Sequence, residues 1–80
     1  MENYPKIKSV KILEDKKLEV LFADGTVKTY DCKPILDEEP FTKLQDTTLF
    51  MQAHVDEGGY GISWNDQIDL SESELWINGK

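Results

Sequence analysis

The sequence predicts an α+β domain: an antiparallel β-sheet that opens with a three-stranded meander, plus two short helices on one face or end. Three observations lead there. Leu18, Val20 and Phe22 fall on alternate positions, the period of a half-buried strand. Asp24-Gly25 follows at once, and glycine accepts the positive φ of a tight hairpin turn. Near the far end, Ser71-x-x-Glu74 has the spacing of a capping box, in which each side chain satisfies the other residue's backbone N–H.

The other elements follow in order. Residues 7–13 read as the first strand, with Val10 and Ile12 on one face and lysines between and before them. The polar run Glu14-Asp15-Lys16-Lys17 suits a turn into the strand at 18–23. Residues 26–32, rich in Thr, Val and Tyr, return as a third strand, which Pro34 ends because proline has no N–H to give a ladder. Asp37-Glu38-Glu39-Pro40 is a charged loop, and Pro40 is placed to start a short helix carrying Phe41 and Leu44 at i and i+3. The polar residues 45–48 end it. Alternation over 50–56 predicts a fourth strand, Gly58-Gly59 a turn, and Tyr60, Ile62 and Trp64 a fifth strand. Ile68 and Leu70 return to the core, and Ser71 starts the last helix, which Asn78-Gly79 ends.

Length and composition set the class. Eighty residues form one domain over 1–80, and 39% hydrophobic with 31% charged residues is ordinary for a globular chain. Cys32 is the single cysteine, so no intrachain disulfide forms. The polar start and the lack of a long apolar run point to a cytoplasmic protein without a membrane span. Net charge is −7. Residues 1–33 hold seven lysines and six acids, for +1, while residues 34–80 hold two lysines and ten acids, for −8. With no arginine and an acidic balance, direct nucleic-acid binding is disfavoured, whereas a basic partner protein fits.

Chemistry is sparse. Cys32 and His54 are the only thiol and imidazole, too few for a zinc set, and nothing in the spacing joins them as nucleophile and base. Gly58, Gly59 and Gly61 lie between two strands and lack the Lys-Ser/Thr of a phosphate loop. The reading is therefore a non-enzyme with no cofactor and no metal.

Pro5, Val10, Phe22-x-Asp24-Gly25, Tyr30-Asp31, Pro34, Phe41-x-x-Leu44, Phe50, Val55, Gly61-Ile62-x-Trp64 and Asp69-Leu70-Ser71-x-x-x-Leu75 run nearly end to end. In order and spacing they resemble the small bacterial family called domain of unknown function 2442. That resemblance implies a compact α+β domain and no catalytic residue to carry over. It also implies a partner-binding role, as one half of a toxin–antitoxin pair, because members are encoded beside another small protein. Two positions depart from the family pattern: Glu72 stands where proline is common, and Asn65-Asp66-Gln67 replaces a Pro-Asn-Gly turn.

The function expected is a non-catalytic protein–protein interaction module, an acidic antitoxin-like or adaptor subunit with a basic protein partner. Its contact residues are Glu38, Glu39, Asp56, Glu57 and Trp76, the last because tryptophan is enriched at interface hot spots. The alternative is a self-associating structural domain, a homodimer formed through an open sheet edge.

Overall fold

Alternating side chains in the first half build one antiparallel sheet. The computed structural model describes residues 4–80, so Met1–Asn3, part of the domain expected over 1–80 and of its polar start, lie outside the described residues. Strands β1 (Ile7–Leu13), β2 (Lys17–Phe22) and β3 (Val27–Asp31) pair in sequence order, the predicted meander. Val10 faces Val20 and Ile12 faces Leu18, while Leu18 faces Tyr30 across the next ladder. Leu18, Val20, Phe22 and Tyr30 thus share one buried face. Asp15 and Lys16 take positive φ in the first turn. In the second, Gly25 has φ +94° and the Phe22 N–H donates to the Thr26 carbonyl at 2.8 Å.

The second half builds a separate sheet, a correction to the single open sheet of five strands expected above. Strands β4 (His54–Val55), β5 (Gly61–Asn65) and β6 (Ile68–Ser71) pair antiparallel in sequence order. Ile62, Trp64, Ile68 and Leu70 are buried and join the residues of the first sheet in one core.

The link between the sheets is helical, as expected around Phe41 and Leu44, and its last helical turn runs into the start of the strand expected over 50–56. Lys33–Ile35 and Phe41–Gln45 form 3-10 turns, and Thr47–Phe50 forms helix α1. Pro40 precedes the second turn as its cap instead of starting a longer helix. The polar stretch at 45–48 ends that turn and also starts the next, because the Asp46 carboxylate accepts from the Thr48 N–H at 2.9 Å. The strand expected over 50–56 therefore shrinks to His54–Val55, and Met51, which the alternation pairs with Ala53 and Val55, is 62% exposed. Trp64 fixes the helix end: its indole N–H donates to the Phe50 carbonyl at 3.0 Å, a buried bond that replaces one lost to water.

Helix α2 (Glu72–Asn78) continues directly from β6 and returns to the first sheet. Leu75 is fully buried, and Trp76 packs in a T-shaped pair with Phe22, centroids 5.0 Å apart. Consecutive residues on a helix point about 100° apart, so burying Leu75 leaves Trp76 half-buried.

The two sheets meet at Gly59. Its carbonyl accepts from the Ile7 N–H at 2.8 Å. Its φ is +77°, and a β-carbon there would lie 2.6 Å from the Ile7 carbonyl oxygen. Replacing Gly59 with alanine combines left-handed strain of about 1–2 kcal/mol with a backbone clash that forces the sheets apart. The expected outcome is a Gly59→Ala variant at least about 2 kcal/mol less stable, read as a lowered urea midpoint at unchanged slope.

Candidate functional site

A concave surface lies where β3, the 3-10 turn after it and α2 converge. It is an open groove of about 640 Å³ lined by Lys17, Asp31, Pro34, Ile35, Glu74 and Lys80, with Tyr30 in its wall. Sequence places each wall. Tyr30 stands on the inner face of β3, opposite Leu18, so its ring is buried while its hydroxyl reaches the edge. Pro34 ends the ladder and turns the chain, setting Ile35 across from α2.

Glu74 is the centre of this groove. The Tyr30 hydroxyl donates to its Oε2 at 2.8 Å, and the Asn78 side-chain amide donates to the same oxygen at 2.9 Å. The capping box is accordingly half formed. Ser71 Oγ accepts from the Glu74 N–H at 3.2 Å, but the glutamate side chain, expected to reach back to the Ser71 N–H, goes to Tyr30 instead. Burial, the bond to Glu74 and the nearby carboxylates of Glu74 and Glu38 raise the Tyr30 pKa well above its usual value near 10.

The edge of β3 runs along the groove. The Cys32 N–H donates to the Lys16 carbonyl and the Phe22 N–H to the Thr26 carbonyl. In an antiparallel ladder this phase turns the polar backbone groups of Val27, Thr29 and Asp31 outward. The Lys80 N–H takes the Thr29 carbonyl at 2.8 Å, and among the described residues the outward groups of Val27 and Asp31 meet no other backbone partner.

The contact residues expected from sequence lie on three elements. Glu38 and Glu39 are exposed on the loop before Phe41, where Glu39 accepts from the Thr42 hydroxyl at 3.0 Å. Glu57 is exposed at the β4–β5 turn, and Asp56 beside it is half-buried. The Asp56 Oδ1 accepts from the N–H groups of Tyr60 and Gly61 at 2.8 and 3.1 Å, which builds the turn. One face of Trp76 carries the Lys28 ammonium at 4.4 Å, whose Nζ also donates to the Trp76 carbonyl at 2.6 Å. No hydrogen bond or ion pair among the described residues joins these three places. None of the five lines the groove, although the Glu38 charge adds to the raised Tyr30 pKa.

Cys32 and His54 sit in different surroundings. Cys32 is fully buried after β3, and burial, with the Asp31 charge, pushes its thiol up to about 12. His54 is exposed on β4, its Nδ1 3.0 Å from the Gln52 carbonyl. No three of the described His, Cys, Asp or Glu residues group as metal ligands. Sequence reasoning missed Tyr30, Asn78 and the groove role of Glu74. The available signal is the i, i+4 pair Glu74–Asn78, which shares one helix face.

The family described as "Protein of unknown function (DUF2442)" matches residues 7–80, in line with the resemblance read from the motifs. No curated protein matches the chain. A crystal structure described as a "Putative DNA Binding Protein" from Nitrosomonas europaea ATCC 19718 is similar over 100% of this chain, with a TM-score of 0.83 and 24% identity. This chain spans about half of that one, 53% of its length, and at this identity the likeness is one of fold.

Cys32 and Tyr30 are both held protonated. Unfolded, they ionise near 9 and 10. A group whose folded pKa is raised contributes stability that is full below its unfolded pKa and lost as pH rises toward the folded value. Stability is therefore expected to be flat from pH 7 to about 8.5 and to fall steadily above pH 9, read from urea midpoints. Cys32→Ala and Tyr30→Phe should each flatten that fall. Iodoacetamide at pH 8 should label Cys32 quickly only in denaturant, as mass spectrometry would report.

Proposed function

The chain belongs to the DUF2442 family of proteins of unknown function, and from that premise we propose that it is a non-catalytic protein–protein interaction module, an acidic adaptor or antitoxin-like partner of a basic protein. The observation that supports this reading is the placement of charge. The net −8 of residues 34–80 includes Glu38, Glu39 and Glu57, all exposed and free of any lysine within ion-pair distance. Unpaired surface acids speed encounter with a basic surface and select against acidic ones. Trp76 adds a half-buried aromatic surface on a separate element, with Lys28 covering one ring face. The high pKa of the Cys32 thiol and the exposed setting of His54 favour a binding role over catalysis.

The Nitrosomonas europaea protein is described as a "Putative DNA Binding Protein". Carried to this chain, that role would need a basic face for phosphate, and a net charge of −7 with no arginine works against it. Self-association is the second reading, favoured by the outward backbone groups of Val27 and Asp31 on β3. The Lys80 N–H already occupies the central Thr29 carbonyl of that edge, which limits it.

An affinity pull-down from host lysate at low and high salt tests the main reading. One basic protein is expected, released by salt, with capture reduced at least about tenfold by combined Glu38→Lys, Glu39→Lys and Glu57→Lys substitution. Equal capture by that variant would sink the reading. A dimer by sedimentation at micromolar concentration, with no partner captured, would replace it with self-association.

A further inference from the structure

We propose that the groove between β3 and α2 receives an extended basic segment of the partner, with Glu74 as the counter-ion of its lysine or arginine side chain. The inference deepens the binding role above and rests on it.

The carboxylate is held in advance. Two neutral donors, the Tyr30 hydroxyl and the Asn78 amide, meet at Oε2 and orient the group. No described lysine lies within 4 Å of it, so its charge has no ion-pair partner among the described residues. The other carboxylate of the groove is matched. Asp31 pairs with Lys33 at 3.2 Å and faces Lys17 across the β2–β3 ladder. Lys17 and Lys80 also line the groove and have no ion pair among the described residues, and the Lys80 backbone is bonded to Thr29. A cation entering the groove therefore finds Glu74 as its one carboxylate without an ion pair among the described residues.

The walls suit the stem of such a side chain. Pro34 and Ile35 offer apolar surface for the methylene groups of lysine or arginine, while the charged end reaches Glu74. Arginine fits best, since its planar fork can bond the free oxygen and keep a second N–H for solvent or carbonyl. The main chain of the segment has a rail as well. The outward N–H and C=O of Asp31 lie on the groove side of β3, so a strand added there gains ladder bonds while its alternate side chain drops toward Glu74.

The test uses the full chain, 15N-labelled, titrated with the capped pentapeptide Thr-Val-Arg-Val-Thr and with its citrulline analogue, which keeps the shape without the charge. Amide shifts are expected at Thr29, Asp31, Ile35, Glu74 and Asn78, with the citrulline peptide binding at least about tenfold more weakly. Glu74→Gln keeps an acceptor for Tyr30 and should fold with an unchanged melting curve, yet lose the arginine peptide by a similar factor. Asn78→Ala should weaken binding less. Shifts located elsewhere, or equal affinity of the two peptides, or undiminished binding by a folded Glu74→Gln, would each overturn the proposal. The two readings fail separately. A salt-sensitive partner that ignores Glu74→Gln leaves the acidic module standing without the groove. Peptide binding with no partner lost on reversal of Glu38, Glu39 and Glu57 leaves the groove without the acidic surface.

Discussion

Two sheets of three strands share one core because the chain comes back at Gly59 to bond the first residue of β1. Each sheet buries one face only, and three strands with an open hydrophobic face are marginal in water. The bond between Ile7 and Gly59 brings backbone to backbone, closer than any side chain allows. Asp56 holds the loop that presents Gly59, through the N–H groups of Tyr60 and Gly61. The acid that looks like surface charge in the sequence is thus a part of the joint. Closing the sheets over each other encloses Phe22, Phe50, Trp64 and Leu75, and carries α2 to the edge of β3 where the groove forms.

The first sheet was legible because its signals are local. Each strand is amphipathic over residues that are neighbours in sequence, and both turns lie within reach of the residues they join. The segment 46–56 was not legible for a related reason. Residues 50–56 alternate well enough for a strand, but Asp46 caps a helical turn and Trp64, fourteen residues on, bonds its last carbonyl. A distant hydrogen bond outweighs a weak local period. The family motifs are legible because many of them mark turn and core positions, among them Gly25, Phe22, Tyr30, Leu44, Ile62, Trp64 and Leu75.

The groove escaped sequence reasoning because one residue serves two ends. Glu74 stands at the capping position, and its backbone does cap. Its side chain answers to Tyr30, forty-four residues earlier, a partner no short pattern reveals. Asp56 shows the converse: a candidate for contact by charge alone turns inward to serve the backbone. Charge in a sequence gives the number of acids but not which of them are already engaged.

The placement of α2 has a consequence for how the molecule is made. The helix leaves β6 of the second sheet and lies on β3 of the first, with Lys28 on the Trp76 carbonyl across forty-eight residues and Tyr30 on Glu74 across forty-four. The meander can form from short loops, each cheap to close. The clasp of α2 closes a loop several times longer and gains its contacts only at the end, which raises the barrier by the logarithm of that length. The native state is therefore expected to be reached by a late closure of the chain upon itself, with the earliest sheet waiting, half uncovered, for its last partner.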